Sequence, residues 1–300
     1  MTTITELPIF PDRRELSAAD KPLFDRLFAA LQPRISELTF AGLFLFRQAH
    51  AYRVCRVGEA VVVLGQGYDG ASYAFPPLAT DPTAALTALV TAGIPLYGAD
   101  TLFAQRWLQH DWVRLVADRD SFDYLYNREE LATLPGNRFH KKKNRISYFT
   151  RRHDHDVVFY GPQFRSGCEA LLADWVRVRQ SAGVVTLSLE ADACAEALLL
   201  SDDLGLQGVV VLVQGRVAAF ALGERLNRET AVCHFEKSDP FMEGVGQLVN
   251  REFCRLLFTA CTYVNREQDL GEPGLREAKL SYHPVALIEK FRVYPKGEQR

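Results

Sequence analysis

The chain has 300 residues, 48% of them hydrophobic and 24% charged. That is ordinary globular composition, and the length is enough for two domains with a core each. Lys and Arg total 35 against 37 Asp and Glu, which excludes a generally basic nucleic-acid binder but leaves room for a local basic patch. No run of apolar residues is long enough for a membrane-spanning helix. The start, Met1 to Asp12, lacks the basic and apolar regions of a secretory signal. Six separated cysteines without a C-x-x-C pair read as buried reduced thiols of a cytoplasmic protein. Seven histidines without H-x-x-x-H spacing give no expectation of a metal.

In chain order, residues 14–32 carry apolar positions at helical spacing and end before Pro33. Strands are expected at Phe40–Arg47, Tyr52–Val57, Val61–Leu64 and Ser72–Phe75, separated by Gly-rich turns. Asp81-Pro82 opens a helix to Ala92. A strand at Ile94–Tyr97, a helix at Thr101–Gln109 and strands at Trp112–Ala117 and Phe122–Tyr126 follow. A basic helix runs from Pro135 to Arg152, and Val157–Tyr160 is a short strand. Helices then cover Phe164–Gln180 and Glu190–Leu200. A hairpin joins Val209–Val213 to Val217–Arg225, with a third strand at Thr230–Phe235. Next come a helix at Glu243–Thr259, a strand at Tyr263–Asn265, a short helix at Leu275–Leu280 and a last strand at Phe291–Tyr294.

The string Asn127-Arg128-Glu129 returns as Asn265-Arg266-Glu267, with Pro135-Gly136, Arg138 and Lys141 answered by Pro273-Gly274, Arg276 and Lys279. Seven identities in fifteen positions exceed the roughly one expected by chance. The chain therefore reads as a fused duplication, residues 1–155 and 156–300, with the two strings at equivalent places in two sheets.

Four places could carry chemistry. Gly244 and Gly246 sit where a helix begins, and backbone N–H groups there can approach an anion. Asn265, Glu267 and Asp269 alternate along a strand end and are expected on one face, joined by Glu236 from the neighbouring strand. Such carboxylates would raise one another's pKa and suit deprotonation or gripping of an amine. Arg276 and Lys279 project together from a helix, with Tyr282 and His283 just beyond. Arg138, Lys141, Lys142 and Lys143 make a basic face, expected to line a groove between the halves and to contact phosphates or RNA.

The order α-α-β-β-β-α-β-α-β in the second half resembles the GNAT acyltransferase core, in which a helix N-terminus after the fourth strand binds a pyrophosphate. Phe241 departs from that loop's Gln or Arg, and Glu243 adds a negative charge. The stretches Pro135–Arg145, His234–Asn250, Tyr263–Gly271 and Leu275–Pro284 resemble the phosphatidylglycerol lysyltransferase C-terminal family. The resemblance implies an α/β fold of two tandem GNAT-like domains, each a twisted mixed sheet flanked by helices. It also implies acyl or aminoacyl transfer. The donor would be acyl-CoA or an aminoacyl-tRNA, held by Gly244, Gly246, Lys141, Lys142, Arg276 and Lys279. The acceptor would be a small soluble amine or hydroxyl, beside Asn265, His283 and Arg138. Glu267, Asp269 and Glu236 would grip or deprotonate it, and Tyr282 would protonate the leaving group. The rival reading is a non-catalytic module that holds a nucleotide, a tRNA end or a peptide in the groove.

Overall fold

A computed structural model describes residues 2–109, 111–179 and 186–296. Gln180, the expected last residue of the helix from Phe164, lies outside them. The early elements are β1 (Arg14–Glu15), α1 (Lys21–Leu31), α2 (Phe40–Leu45), β2 (Arg53–Val57), β3 (Ala60–Gln66) and β4 (Ser72–Ala74). Then come α3 (Thr83–Thr91), β5 (Leu96–Asp100), α4 (Thr101–Trp107), β6 (Val113–Ala117), β7 (Asp123–Asn127), α5 (Arg128–Thr133) and α6 (His140–Thr150). The later chain forms β8 (His155–Phe159), α7 (Arg165–Arg179), α8 (Thr186–Leu199), α9 (Ser201–Leu204), β9 (Gln207–Val213), β10 (Arg216–Arg225) and β11 (Thr230–Ser238). It ends with α10 (Val245–Leu256), β12 (Tyr263–Asn265), α11 (Pro273–Leu280), β13 (Ala286–Ile288) and β14 (Lys290–Pro295).

The strands make two seven-stranded sheets, ordered β1-β2-β3-β4-β5-β14-β6 and β8-β9-β10-β11-β12-β7-β13. In each, the fourth and fifth strands are parallel, and the sixth is antiparallel to the fifth. In each, a helix connects the fourth strand to the fifth: α3 in one, α10 in the other. This is the tandem, helix-flanked α/β class expected from the sequence.

The chain divides into two compact units, but not at residue 155. One unit holds residues 1–123, 268–276 and 287–300; the other holds 124–267 and 277–286. The expected cut fails because β7, α5 and α6 belong with the second unit, while β14 lies in the first sheet. The repeated strings are not at equivalent places either. β7 and β12 are antiparallel neighbours in one sheet, with Tyr263 opposite Asn127 and Asn265 opposite Leu125. Asn127 caps α5, its Oδ1 accepting from the Glu130 N–H at 3.0 Å. Asn265 Oδ1 instead accepts from the Glu267 N–H at 2.8 Å and ends its strand. The duplication shows in strand order rather than in those strings.

Local chemistry explains most elements. Val245, Leu248, Val249 and Phe253 give α10 one apolar face, which packs on β9, β10 and β11. Val209, Val210 and Val211 are buried on both faces of the sheet. Residues 40–45, expected as a strand, form a fully buried helix, because Thr39 Oγ1 caps it at the Gly42 N–H, 2.9 Å away. The basic helix starts at His140 rather than Pro135, since Gly136 has φ +73° and a 3-10 turn intervenes.

In the first unit Lys290, 0% exposed, is held by Glu37 at 2.6 and 2.8 Å and by Asp123 at 2.7 Å. Removing the cation strands two inward carboxylates. Lys290→Met is expected to cost about 3–5 kcal/mol, read as a lowered midpoint of thermal unfolding; an unchanged midpoint contradicts this. In the second unit, an added Cβ at Gly244, φ +96°, would lie 2.1 Å from the Arg145 carbonyl oxygen. Gly244→Ala should therefore destabilise by more than about 2 kcal/mol. Gly246→Ala meets only the Ser238 side chain, its Oγ at 3.0 Å, and should cost clearly less in the same melt.

Candidate functional site

The parallel pairing of β11 with β12 is short. Thr230, Ala231 and Val232 face Tyr263, Val264 and Asn265, and there it stops. β11 runs on along β10 as far as Ser238 opposite Ala219. Beyond Asn265 the chain bonds to β7 instead: the Arg266 N–H donates to Tyr124 O, and the Tyr124 N–H to Glu267 O. A wedge thus opens between the ends of two parallel strands, where α/β folds place their ligands.

Side chains alone span the wedge. Nearest its apex, His234 Nδ1 lies 2.8 Å from Glu267 Oε1, and its Nε2 lies 3.0 Å from Glu224 Oε1. Burial pushes the imidazole pKa down, but the two carboxylates outweigh burial and raise it to about 10, so the ring is charged. Further out, Arg266 Nη2 donates to Glu236 at 3.0 and 3.2 Å, and Asn250 Nδ2 donates to Glu236 Oε2 at 2.8 Å. Arg266 Nη1 and Asn250 Oδ1 are buried with no hydrogen-bond partner.

Tyr282 closes this side. Its ring lies 4.9 Å from the Arg266 guanidinium and 4.0 Å from Lys142 Nζ, which donates to Ser281 Oγ at 2.6 Å. Burial pushes the Tyr282 hydroxyl well above the ordinary phenol range, so it keeps its proton at neutral pH. α6 delivers Lys142 and Arg145 to this place, while Lys141 and Lys143 are exposed. The start of α10 is beside them: Gly244 lets the Arg145 carbonyl approach, and Arg145 Nε is 3.8 Å from Glu243. Phe241, ahead of the glycines, is 81% exposed. Gly244 is thus accounted for by packing as well as by any anion.

Of the expected site residues, Glu236, Glu267, Tyr282, Lys142, Gly244 and Gly246 share this neighbourhood. Glu236 and Glu267 are each held by a different cation, and Asp269 does not join them. Positive φ at Glu267 and Leu270 breaks the strand alternation. Asp269, 0% exposed, belongs to the first unit, where Arg276 holds it at 2.8 and 2.9 Å and Arg119 at 3.2 Å. Arg276 is further tied to Asp120 at 2.7 Å. Lys279 Nζ donates to the Arg266 carbonyl, so it braces the wedge from below and does not project with Arg276. Asn265 is fully buried in its turn. His283 Nε2 lies 3.2 Å from the Arg138 carbonyl, and Arg138 pairs with Glu130. Sequence reasoning missed His234, Glu224, Asn250, Arg266 and Arg145 as wedge residues. The spacing of His234 and Glu236 on one face of a strand was the available signal.

The chain matches the family described as phosphatidylglycerol lysyltransferase, C-terminal, over residues 28–294. A crystal structure of a conserved protein of unknown function from Bacteroides thetaiotaomicron superposes with a TM-score of 0.88 at 28% identity, covering 95% of this chain and 99% of that one. The C-terminal domain of a proposed lysylphosphatidylglycerol synthetase from Agrobacterium fabrum shares the fold. Its TM-score is 0.65 at 13% identity, over 94% of this chain and 93% of that one. An uncharacterised protein of Mycoplasmoides gallisepticum is 20% identical over 189 residues, 62% of this chain, and the match spans only 60% of that relative's length. By the extent of the family match and the shared fold, the chain belongs to the phosphatidylglycerol lysyltransferase C-terminal family.

Proposed function

We propose that the chain is an acyl- or aminoacyl-transferase that works in the β11/β12 wedge. The observation that supports this most is the wedge itself, with a protonated tyrosine, a half-buried lysine and two buried, unmatched polar atoms at its wider end. The family name speaks of lysyl transfer, and the transfer of an acyl group from a carrier to an amine or hydroxyl is the chemistry carried over here. The carrier would be a thioester such as acyl-CoA, or an aminoacyl-tRNA, with its phosphates toward Lys142, Arg145 and the first turn of α10. Lys141, on the exposed face of α6, would add longer-range attraction.

Tyr282 is the proton donor for the leaving group, since burial keeps its hydroxyl protonated. Glu236 orients Arg266 and Asn250 rather than acting alone. Glu267 holds the charged His234 and keeps the narrow end rigid. Lys279, through the Arg266 carbonyl, and Asn265, through the Glu267 N–H, support this frame, and His283 and Arg138 support the chain beside Tyr282.

The test is a transfer assay with labelled acetyl-CoA and lysyl-tRNA as donors, against pools of small amines and alcohols. Tyr282→Phe should lower turnover about 100-fold, within the usual range for general acid catalysis, while its thermal midpoint stays within a degree of wild type. Binding of either donor without any turnover in wild type would favour the non-catalytic binding module.

A further inference from the structure

The charges around Lys142 do not balance. Its Nζ leaves α6, gives one hydrogen bond to Ser281 Oγ and rests on the Tyr282 face. Ser281 gives its own proton to Ala278 O at 2.6 Å, so toward Lys142 it acts only as an acceptor. The cations facing Lys142 are Arg145 on its own helix and Arg266 after β12; the anion is Glu236 on β11. Glu236 is already engaged by Arg266 and Asn250. Glu243, ahead of α10, reaches only Arg145, at 3.8 Å, and both side chains are more than half exposed, so that pair is weak. His283 is turned away against Phe139 and the Arg138 carbonyl. Three cations thus face one committed carboxylate; Lys142 gives one hydrogen bond, and the buried Nη1 of Arg266 gives none.

We propose that this cluster seats a phosphate or pyrophosphate group and that seating it puts a proton on Lys142. The inference rests on the reading above, in which a phosphorylated carrier enters between α6 and α10. In the free protein, burial first, then Arg145 and Arg266, push the Lys142 ammonium down to about 8, against a smaller opposing pull from Glu236. A bound anion supplies the missing counter-charge and returns the amine toward its ordinary value of about 10.4. The sign follows by linkage. Below pH 8 the lysine is already charged and affinity is flat; above it, each unit of pH weakens binding up to about tenfold until the bound-state value is reached. Proton uptake should accompany binding, about half a proton at pH 8 and nearly a whole one at pH 9.5.

The experiment is calorimetric titration of the full chain with ADP at pH 8.0 and 9.5, at fixed ionic strength, in two buffers of different ionisation heat. ADP carries a pyrophosphate that is fully ionised over this range. Wild type should weaken on the order of tenfold across the interval and take up protons. Lys142→Arg keeps its charge, so its affinity should not depend on pH and uptake should vanish. Lys142→Met should bind weakly at both pH values. If Lys142→Arg weakens with pH as wild type does, the proton is not on Lys142 and the inference falls, while the transferase reading stands. If ADP does not bind wild type at either pH, the phosphate seat falls, and with it the carrier placement. The transfer assay then decides separately whether the chain is an enzyme.

Discussion

Everything distinctive in the second unit follows from one limit: β11 and β12 share only three residue pairs. Two parallel strands that part must each satisfy their backbone elsewhere, because buried N–H and C=O groups cannot go unpaired. β11 does so along β10, and the chain after β12 does so along β7. The space between is bridged by side chains in graded order. A charged imidazole between two carboxylates comes first, then a guanidinium–carboxylate pair, then an aromatic ring and a lysine. Such a wedge holds polar, ionisable groups in partial burial, where small differences in environment set protonation states.

The first unit shows the same topology put to a different use. There β4 and β5 meet only at Ala74 and Leu96. Rings fill the place beyond: Tyr73 and Phe75 lie 5.2 and 5.7 Å from Tyr97, and Tyr52 lies 5.7 Å from Phe75. Gly65 is required beneath them, since a Cβ would come within 2.7 Å of Tyr52. Tyr97 gives its proton to Glu37, which Lys290 neutralises. Aromatic packing seals one copy of the wedge and leaves the other to charged groups. The functional reading therefore falls on the second unit.

Much of this was legible in the sequence, and the failures have physical causes. The α-α-β-β-β-α-β order of the second half could be read because β9 is a valine run, a Gln214-Gly215 turn leads into the apolar β10, and α10 has a clear apolar face. Residues 40–45 misled because a short apolar run fits a buried helix as well as a strand, and only the Thr39 cap decides. Alternation past Asn265 misled because side-chain turns at Asn265 and Asp269 permit left-handed backbone at Glu267 and Leu270, which ends the period of two. Asp269, read as catalytic, and Arg276, read as holding the donor, form an ion cluster with Arg119 and Asp120. Arg266 looked like part of a repeat, and nothing in a one-dimensional pattern reveals that its partner is a carboxylate thirty residues earlier on a neighbouring strand.

The central claim is that the β11/β12 wedge is where ligand binds. The most direct measurement is backbone amide NMR of the full chain titrated with desulfo-CoA and, separately, with a 3′-lysylamino-adenosine analogue. At least one should shift the amides of 233–238 together with those of 244–247 and 266–267, while residues of β2 and β3 stay still. Shifts confined to the first unit, or none from either ligand at millimolar concentration, would contradict the account.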